Sequence, residues 1–217
     1  YTTAHVRRRG YLAREFDLAT FRNEVEQDRY ARTYPAAEMW DHYRYFIEAV
    51  LPVAEQADVR LALHPDDPPL AQMNGVAKLF TNAAGFRRAD EIAGGSAHWG
   101  LRFCVGTWAE GGETMGLNVW EMLREYGGQG RIYGLHFRNV SAPLPRFVET
   151  FPDDGYLDMQ RVMRVLYEVG YTGAIVPDHI PQSAGDGTFR RAGLAYCIAV
   201  MRTMLHRVLD EAAVARP

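Results

Sequence analysis

Four short apolar runs in this chain end in a polar side chain able to bind a metal or move a proton. Val59 to Leu63 runs into His64. A second run closes as Leu101-Arg-Phe-Cys104, a third as Ile132-Tyr-Gly-Leu-His136, and a fourth as Ala174-Ile-Val-Pro-Asp178. Short apolar runs bounded by Gly and Pro predict buried strands. Helical periods lie between them. Trp40, Tyr43, Ile47, Val50 and Ala54 recur at spacings of three and four, which predicts a helix from Pro35 to Ala57, with a kink or break at Pro52. Helix is expected again over 76–93, interrupted by Gly85. Asn118, with Glu121 three residues on, opens another in a variant of the capping box; Val119, Met122, Leu123 and Tyr126 form its apolar face and Gly127-Gly128 stops it. Asp158 caps a helix faced by Met159, Val162, Met163, Leu166 and Val169, and a last helix is expected from Arg190 to Ala213. Residues 1–35 carry no clean period and read as an irregular region. Residues 141–156, with three prolines, read as a long loop.

Strands alternating with helices imply an α/β fold with a parallel sheet and right-handed crossovers. In such folds chemistry gathers at the C-terminal ends of the strands. His64, Cys104, His136 and Asp178 all fall there. A closed (β/α)8 TIM barrel takes about 250 residues. Four strands are visible here, so the expectation is one domain, 1–217, forming the C-terminal part of a TIM barrel whose N-terminal strands are missing. The chain begins at Tyr1 rather than Met, and a piece of a longer protein is expected.

Composition adds little to this. The chain has 217 residues, 47% hydrophobic and 24% charged, with a net charge of −3. That balance offers no footprint for nucleic acid or an anionic membrane. The basic run Arg7-Arg8-Arg9 reads as a solvated loop, with anion binding as the alternative. Two cysteines, Cys104 and Cys197, do not make a disulfide framework, and a reducing cytoplasm is expected. No apolar run approaches the roughly 18 residues of a membrane span.

The four strand-end residues form one candidate metal site. Imidazole, thiolate and carboxylate all bind first-row divalent metals. Cysteine leans toward zinc or iron and carboxylate toward manganese or magnesium, so residue types leave the metal open. His179 adjoins Asp178, and strand neighbours point to opposite sides. This suits Asp178 as ligand and His179 as acid or base. Arg138 shares a face with His136. Its guanidinium can clamp a substrate carboxylate, or it can pair with Asp66, Asp67 or Glu149. Asp66 and Glu149 join Arg138 as substrate-binding candidates.

Five motifs then add up to a family. His64-Pro-Asp-Asp-Pro-Pro69, Phe103-Cys-Val-Gly-Thr107, His136-Phe-Arg-Asn-Val140, Phe147-Val-Glu-Thr-Phe151 with Asp153-Asp-Gly155, and Pro177-Asp-His-Ile-Pro181 resemble mannonate dehydratase, in that family's order, over residues 36–205. The resemblance implies a xylose-isomerase-like TIM barrel and the dehydration of D-mannonate to 2-keto-3-deoxy-D-gluconate in hexuronate breakdown. It implies Mn²⁺, with Fe²⁺ or another divalent metal as alternatives, held by His64, Cys104, His136 and Asp178. It implies a catalytic His179 and a tyrosine acid or base in the loop that follows. No tyrosine lies between His179 and Tyr196, which reads as a helix packing residue, so the second acid/base stays unassigned. A cytoplasmic homo-oligomer, a dimer first, is expected. The competing readings are a sugar or sugar-acid isomerase or epimerase on the same barrel and a non-catalytic barrel fragment pairing through open strand edges.

Overall fold

The computed structural model describes residues 1–27 and 29–214. The chain opens with an antiparallel hairpin, β1 (Ala4–Arg8) and β2 (Tyr11–Asp17). Its turn residues Arg9 and Gly10 both have positive φ, 43° and 90°, as a tight two-residue hairpin requires. Asp17 caps α1 (Leu18–Thr20), which runs into a π turn, Phe21–Val25. Then come α2 (Ala36–Gln56), β3 (Leu61–Leu63), the small hairpin β4 (Gln72–Met73) and β5 (Val76–Ala77), α3 (Ala83–Ile92) and β6 (Trp99–Cys104). The chain continues through α4 (Val105–Gly111), a 3-10 turn, Gly112–Met115, α5 (Val119–Gly127), β7 (Ile132–His136), β8 (Asn139–Val140) and β9 (Arg146–Thr150). It ends with α6 (Met159–Glu168), β10 (Ile175–Val176) and α7 (Arg191–Val214).

Two sheets organise these elements. The first has the order β10-β7-β6-β3, and each neighbouring pair is parallel. Its core holds Trp99, Leu101, Phe103, Ile132 and Leu135 from the strands and Met122, Leu123, Val162 and Leu166 from the helices. These are the aliphatic runs and helix faces that the sequence pattern marks. Asn118 makes the full capping box with Glu121, and Asp158 accepts from Arg161 N. The second sheet is antiparallel, in the order β1-β2-β9-β8. Phe16 and Phe147 pack it against Val140, Phe21, Leu70 and Ala109 of α4.

The structure departs from the sequence pattern in four places. Residues 1–35 are not irregular throughout: 4–17 form the hairpin, held by pairing with a partner some 130 positions away (Phe16↔Phe147). That partner, β9, lies within the expected loop 141–156. Helix over 76–93 begins only at Ala83, capped by Asn82. Gly85 does not interrupt it; a Cβ there would meet the Leu79 carbonyl oxygen at 2.1 Å, so glycine lets the helix sit on the preceding loop. Pro52 lies inside α2 without ending it, because Leu51 and Ala54 are buried on either side and anchor the last turn. The basic run is engaged internally, with Arg8 and Arg9 both paired to Asp154.

Candidate metal centre and active site

The parallel sheet aligns three of the four strand-end residues. Cys104 and His136 are register partners at the ends of β6 and β7, and His64 directly follows β3. Ligand-capable atoms of His64, Cys104 and His136 all lie within 4.8 Å of one another. His64 Nδ1 is 2.7 Å from the Pro65 carbonyl oxygen, which fixes the ring and leaves Nε2 for the centre. That Nε2 is 3.2 Å from His136 Nδ1. Burial alone would raise the Cys104 thiol, but the Arg138 guanidinium and hydrogen bonds with His136 and His64 override it and hold its pKa at about 5. Burial disfavours a charged His64, yet contact with the Cys104 sulfur wins and raises its pKa. Cys104 is therefore a thiolate at neutral pH, the form a metal binds. Asp178 stands beside this cluster rather than within its tight geometry, its Oδ2 3.6 Å from His136 Nδ1.

Behind the cluster lies a buried ionic knot. The Arg138 side chain has no exposed surface. Its nitrogens lie 2.7 Å from Asp67, 3.0 Å from both Glu110 and Glu149, and 3.5 Å from Asp178. It also donates to Thr107 Oγ1 at 3.1 Å. Gly106 makes room for it, since a Cβ there would lie 2.3 Å from Arg138 Nε. A guanidinium so occupied is no free clamp for a substrate carboxylate; of the alternatives, its pairing with Asp67 and Glu149 is what the structure holds. Burial raises both Asp67 and Glu110, but with opposite outcomes. Arg138 pulls Asp67 below the usual carboxylate range, while Glu110 stays well above it, pushed further by Asp67. Glu110 is thus the neutral acid of the pair.

His179 joins this knot through Glu149. Its Nδ1 is 2.7 Å from Glu149 Oε1, and its Nε2 is 3.8 Å from Asp178 Oδ1. His179 has a φ of 47°, so the chain does turn after Asp178, and both side chains face the same region. Tyr1 reaches the same place: its hydroxyl donates to Glu149 Oε1 at 2.7 Å, accepts from Arg138 at 3.1 Å and lies 3.2 Å from His179 Nδ1. Burial keeps that hydroxyl protonated.

Asp66 has a different task from the one expected. It accepts from the backbone N–H groups of Leu79 and Phe80 and pairs with Lys78, bracing its loop away from the centre. Glu149 turns to His179 and Arg138 instead of an open pocket. His42 and His98 remain peripheral, paired with Glu38 and Asp58. Sequence reasoning missed Tyr1, Thr107 and Glu110. Glu110 carried one signal, an acid at the end of the buried helix Val105-Gly-Thr-Trp-Ala-Glu110; Tyr1 carried none. A cavity of about 750 Å³ lined by Trp108, Trp120 and Tyr156 holds none of these residues, so chemistry rather than volume marks the site.

Fold and centre define a class: mixed α/β proteins with a parallel sheet that gather metal-type ligands at their strand ends. Within it, the chain belongs to the D-mannonate dehydratase (UxuA) family, which it matches over residues 12–212. It is 34% identical to mannonate dehydratase 2 of Halalkalibacterium halodurans over 145 residues, 65% of this chain and 41% of that protein. It is 32% identical to mannonate dehydratase of Streptococcus pneumoniae over 163 residues, 74% of this chain and 43% of that protein. The chain thus spans about two fifths of the length of the curated relatives it matches. The crystal structure of mannonate dehydratase from Streptococcus suis serotype2 superposes with a TM-score of 0.84 at 26% identity, covering 98% of this chain and 64% of that one. A xylose isomerase domain protein from Planctomyces limnophilus gives a TM-score of 0.57 at 14% identity over 80% of this chain and 56% of that one, a likeness of fold alone. No described helix is long and apolar enough to cross a membrane.

Proposed function

We propose that this chain carries the metal-binding and proton-transferring part of a mannonate dehydratase, a hydro-lyase converting D-mannonate to 2-keto-3-deoxy-D-gluconate in hexuronate breakdown. The observation that supports it most is the His64–Cys104–His136 cluster with its thiolate, set at strand ends in a member of this family. The donor set fits a divalent ion: two imidazoles and a thiolate within reach of one point, with Asp178 as the fourth ligand beside them. Mn²⁺ is the ion proposed, with Fe²⁺ as the second choice. When bound, it would stabilise the negative charge that develops beside the substrate carboxylate.

The chain's own residues do the rest. His179 takes the proton from the carbon bearing the carboxylate, and the hydroxyl on the next carbon leaves as water once protonated. The resulting enol rearranges to the 2-keto acid. The Tyr1 hydroxyl donates to Glu149 and lies beside His179 Nδ1, so it belongs with the groups that orient the imidazole, and the acid stays unassigned. Arg138 does not meet the substrate; it holds Glu149 and Asp67 in place around the reacting groups. A xylose-isomerase-like barrel, of which the four-stranded sheet is one part, a cytoplasmic setting and a dimer complete the reading.

The test is D-mannonate dehydration by the whole protein, stripped by chelator and then given Mn²⁺ or Fe²⁺. Keto-acid formation that vanishes and returns with the ion supports the reading. No turnover by the metal-loaded protein overturns it and points to isomerisation or epimerisation of a related sugar acid.

A further inference from the structure

We propose that Glu149 is a positioning residue that selects the tautomer of His179, holding its proton on Nδ1 so that Nε2 stays bare toward the metal cluster. This rests on the reading of His179 as the base. The geometry poses a choice. His179 Nδ1 lies 2.7 Å from Glu149 Oε1 and also 2.7 Å from Arg138 Nη1. A carboxylate can only accept and a guanidinium can only donate. An N–H on Nδ1 satisfies Glu149, whereas a bare Nδ1 would accept from Arg138 and move the proton to Nε2. The second arrangement leaves the face toward Asp178 without a lone pair, and hence without a base.

Three features tip the choice to Glu149. Its Oε1 is a focus of donors, receiving Tyr1 at 2.7 Å and Arg138 at 3.0 Å. Against burial, which raises it, contact with His179 and the Arg138 charge hold the carboxyl below its usual pKa, which makes it the stronger acceptor. The Arg138 Nη1 that lies beside His179 meanwhile has other acceptors within reach, at Glu149, Glu110 and Tyr1.

The backbone keeps the two side chains in register. Glu149 sits on β9, whose neighbouring residue Val148 pairs with Glu15 of β2. On the same β2, Leu12 exchanges both backbone hydrogen bonds with Gln182, at 2.9 and 2.8 Å, three residues past His179. One strand therefore braces both the carboxylate and the loop that carries the imidazole. His179 itself sits in the left-handed region, at φ 47°, a conformation that surrounding contacts must hold for a non-glycine residue.

The experiment is ¹⁵N NMR of histidine-labelled, metal-free full-length protein, with the His179 signals assigned by their loss in His179→Asn. Wild type is expected to show the proton on Nδ1. Glu149→Gln, which removes the charge at constant shape, is expected to move it to Nε2, while Glu149→Asp retains it on Nδ1. In the Mn²⁺-loaded protein Glu149→Gln should lower kcat about 100-fold or more, with KM changed by less than about threefold and metal content unchanged. A wild-type proton on Nε2 overturns the inference, and so does a tautomer that ignores Glu149→Gln. The wild-type spectrum decides even if that variant fails to fold. An inactive protein with the expected tautomer counts against the dehydratase reading alone; an active one with the wrong tautomer counts against this inference alone.

Discussion

The two sheets divide the work of the site differently. The parallel sheet delivers the candidate ligands: His64, Cys104 and His136 leave the ends of three adjacent strands, and the sheet's spacing brings them together. The antiparallel sheet delivers no ligand. It brings Glu149 and Tyr1 against His179 and Arg138. Rigid, apolar, locally encoded strands suit a metal, which needs donors at fixed distances. A ribbon assembled from distant segments suits the orienting layer, which has to reach over the mouth of the sheet.

This contrast can be broken in graded ways. The largest effects should come from the ligands. His64→Ala or Cys104→Ala should weaken metal retention by about 100-fold or more, measured as metal content after dialysis, whereas His179→Ala should retain the metal and lose about 10²–10⁴ in kcat. Equal metal loss in His179→Ala would erase the division between the sheets. Next comes the ionic knot. Arg138→Met should destabilise the fold by about 3–5 kcal/mol in urea unfolding, because it strands buried carboxylates without a counter-charge. Gly106→Ala should cost about 1–3 kcal/mol in the same measurement, since its methyl must displace Arg138. Smallest is Arg146→Ala on the rim of the antiparallel sheet. Arg146 is 63% exposed and pairs with Glu15, so removing it should change stability by less than about 0.5 kcal/mol.

The same contrast explains what was legible in the sequence. Strands of the parallel sheet are continuous apolar runs with a chemical residue at the end, and helix caps such as Asn118 and Asp158 announce themselves within three residues. The strand ends that bring His64, Cys104 and His136 together are therefore visible in short windows. The antiparallel sheet has no such window. Ala-His-Val-Arg-Arg8 is polar at most positions, and its place depends on Phe16 meeting Phe147. Contacts set by that pairing leave no local mark in the sequence. Glu149 contacts His179, 30 positions away, which no short window shows, and only geometry separates the adjacent acids Asp66 and Asp67. The full burial of Arg138 among carboxylates is a tertiary fact that no short window shows.

That single guanidinium, set among Asp67, Glu149 and Asp178 and beside a thiolate, has a consequence for the protein's heat resistance if the proposed ion binds beside it. The pocket holds more anionic groups than one arginine neutralises. A divalent cation bound there joins only the folded chain, so mass action ties folding to occupancy. At a free-ion concentration one hundred times Kd the gain is about 2.7 kcal/mol. With the proposed ion bound, the melting temperature would become a gauge of ion supply, and chelation would lower it.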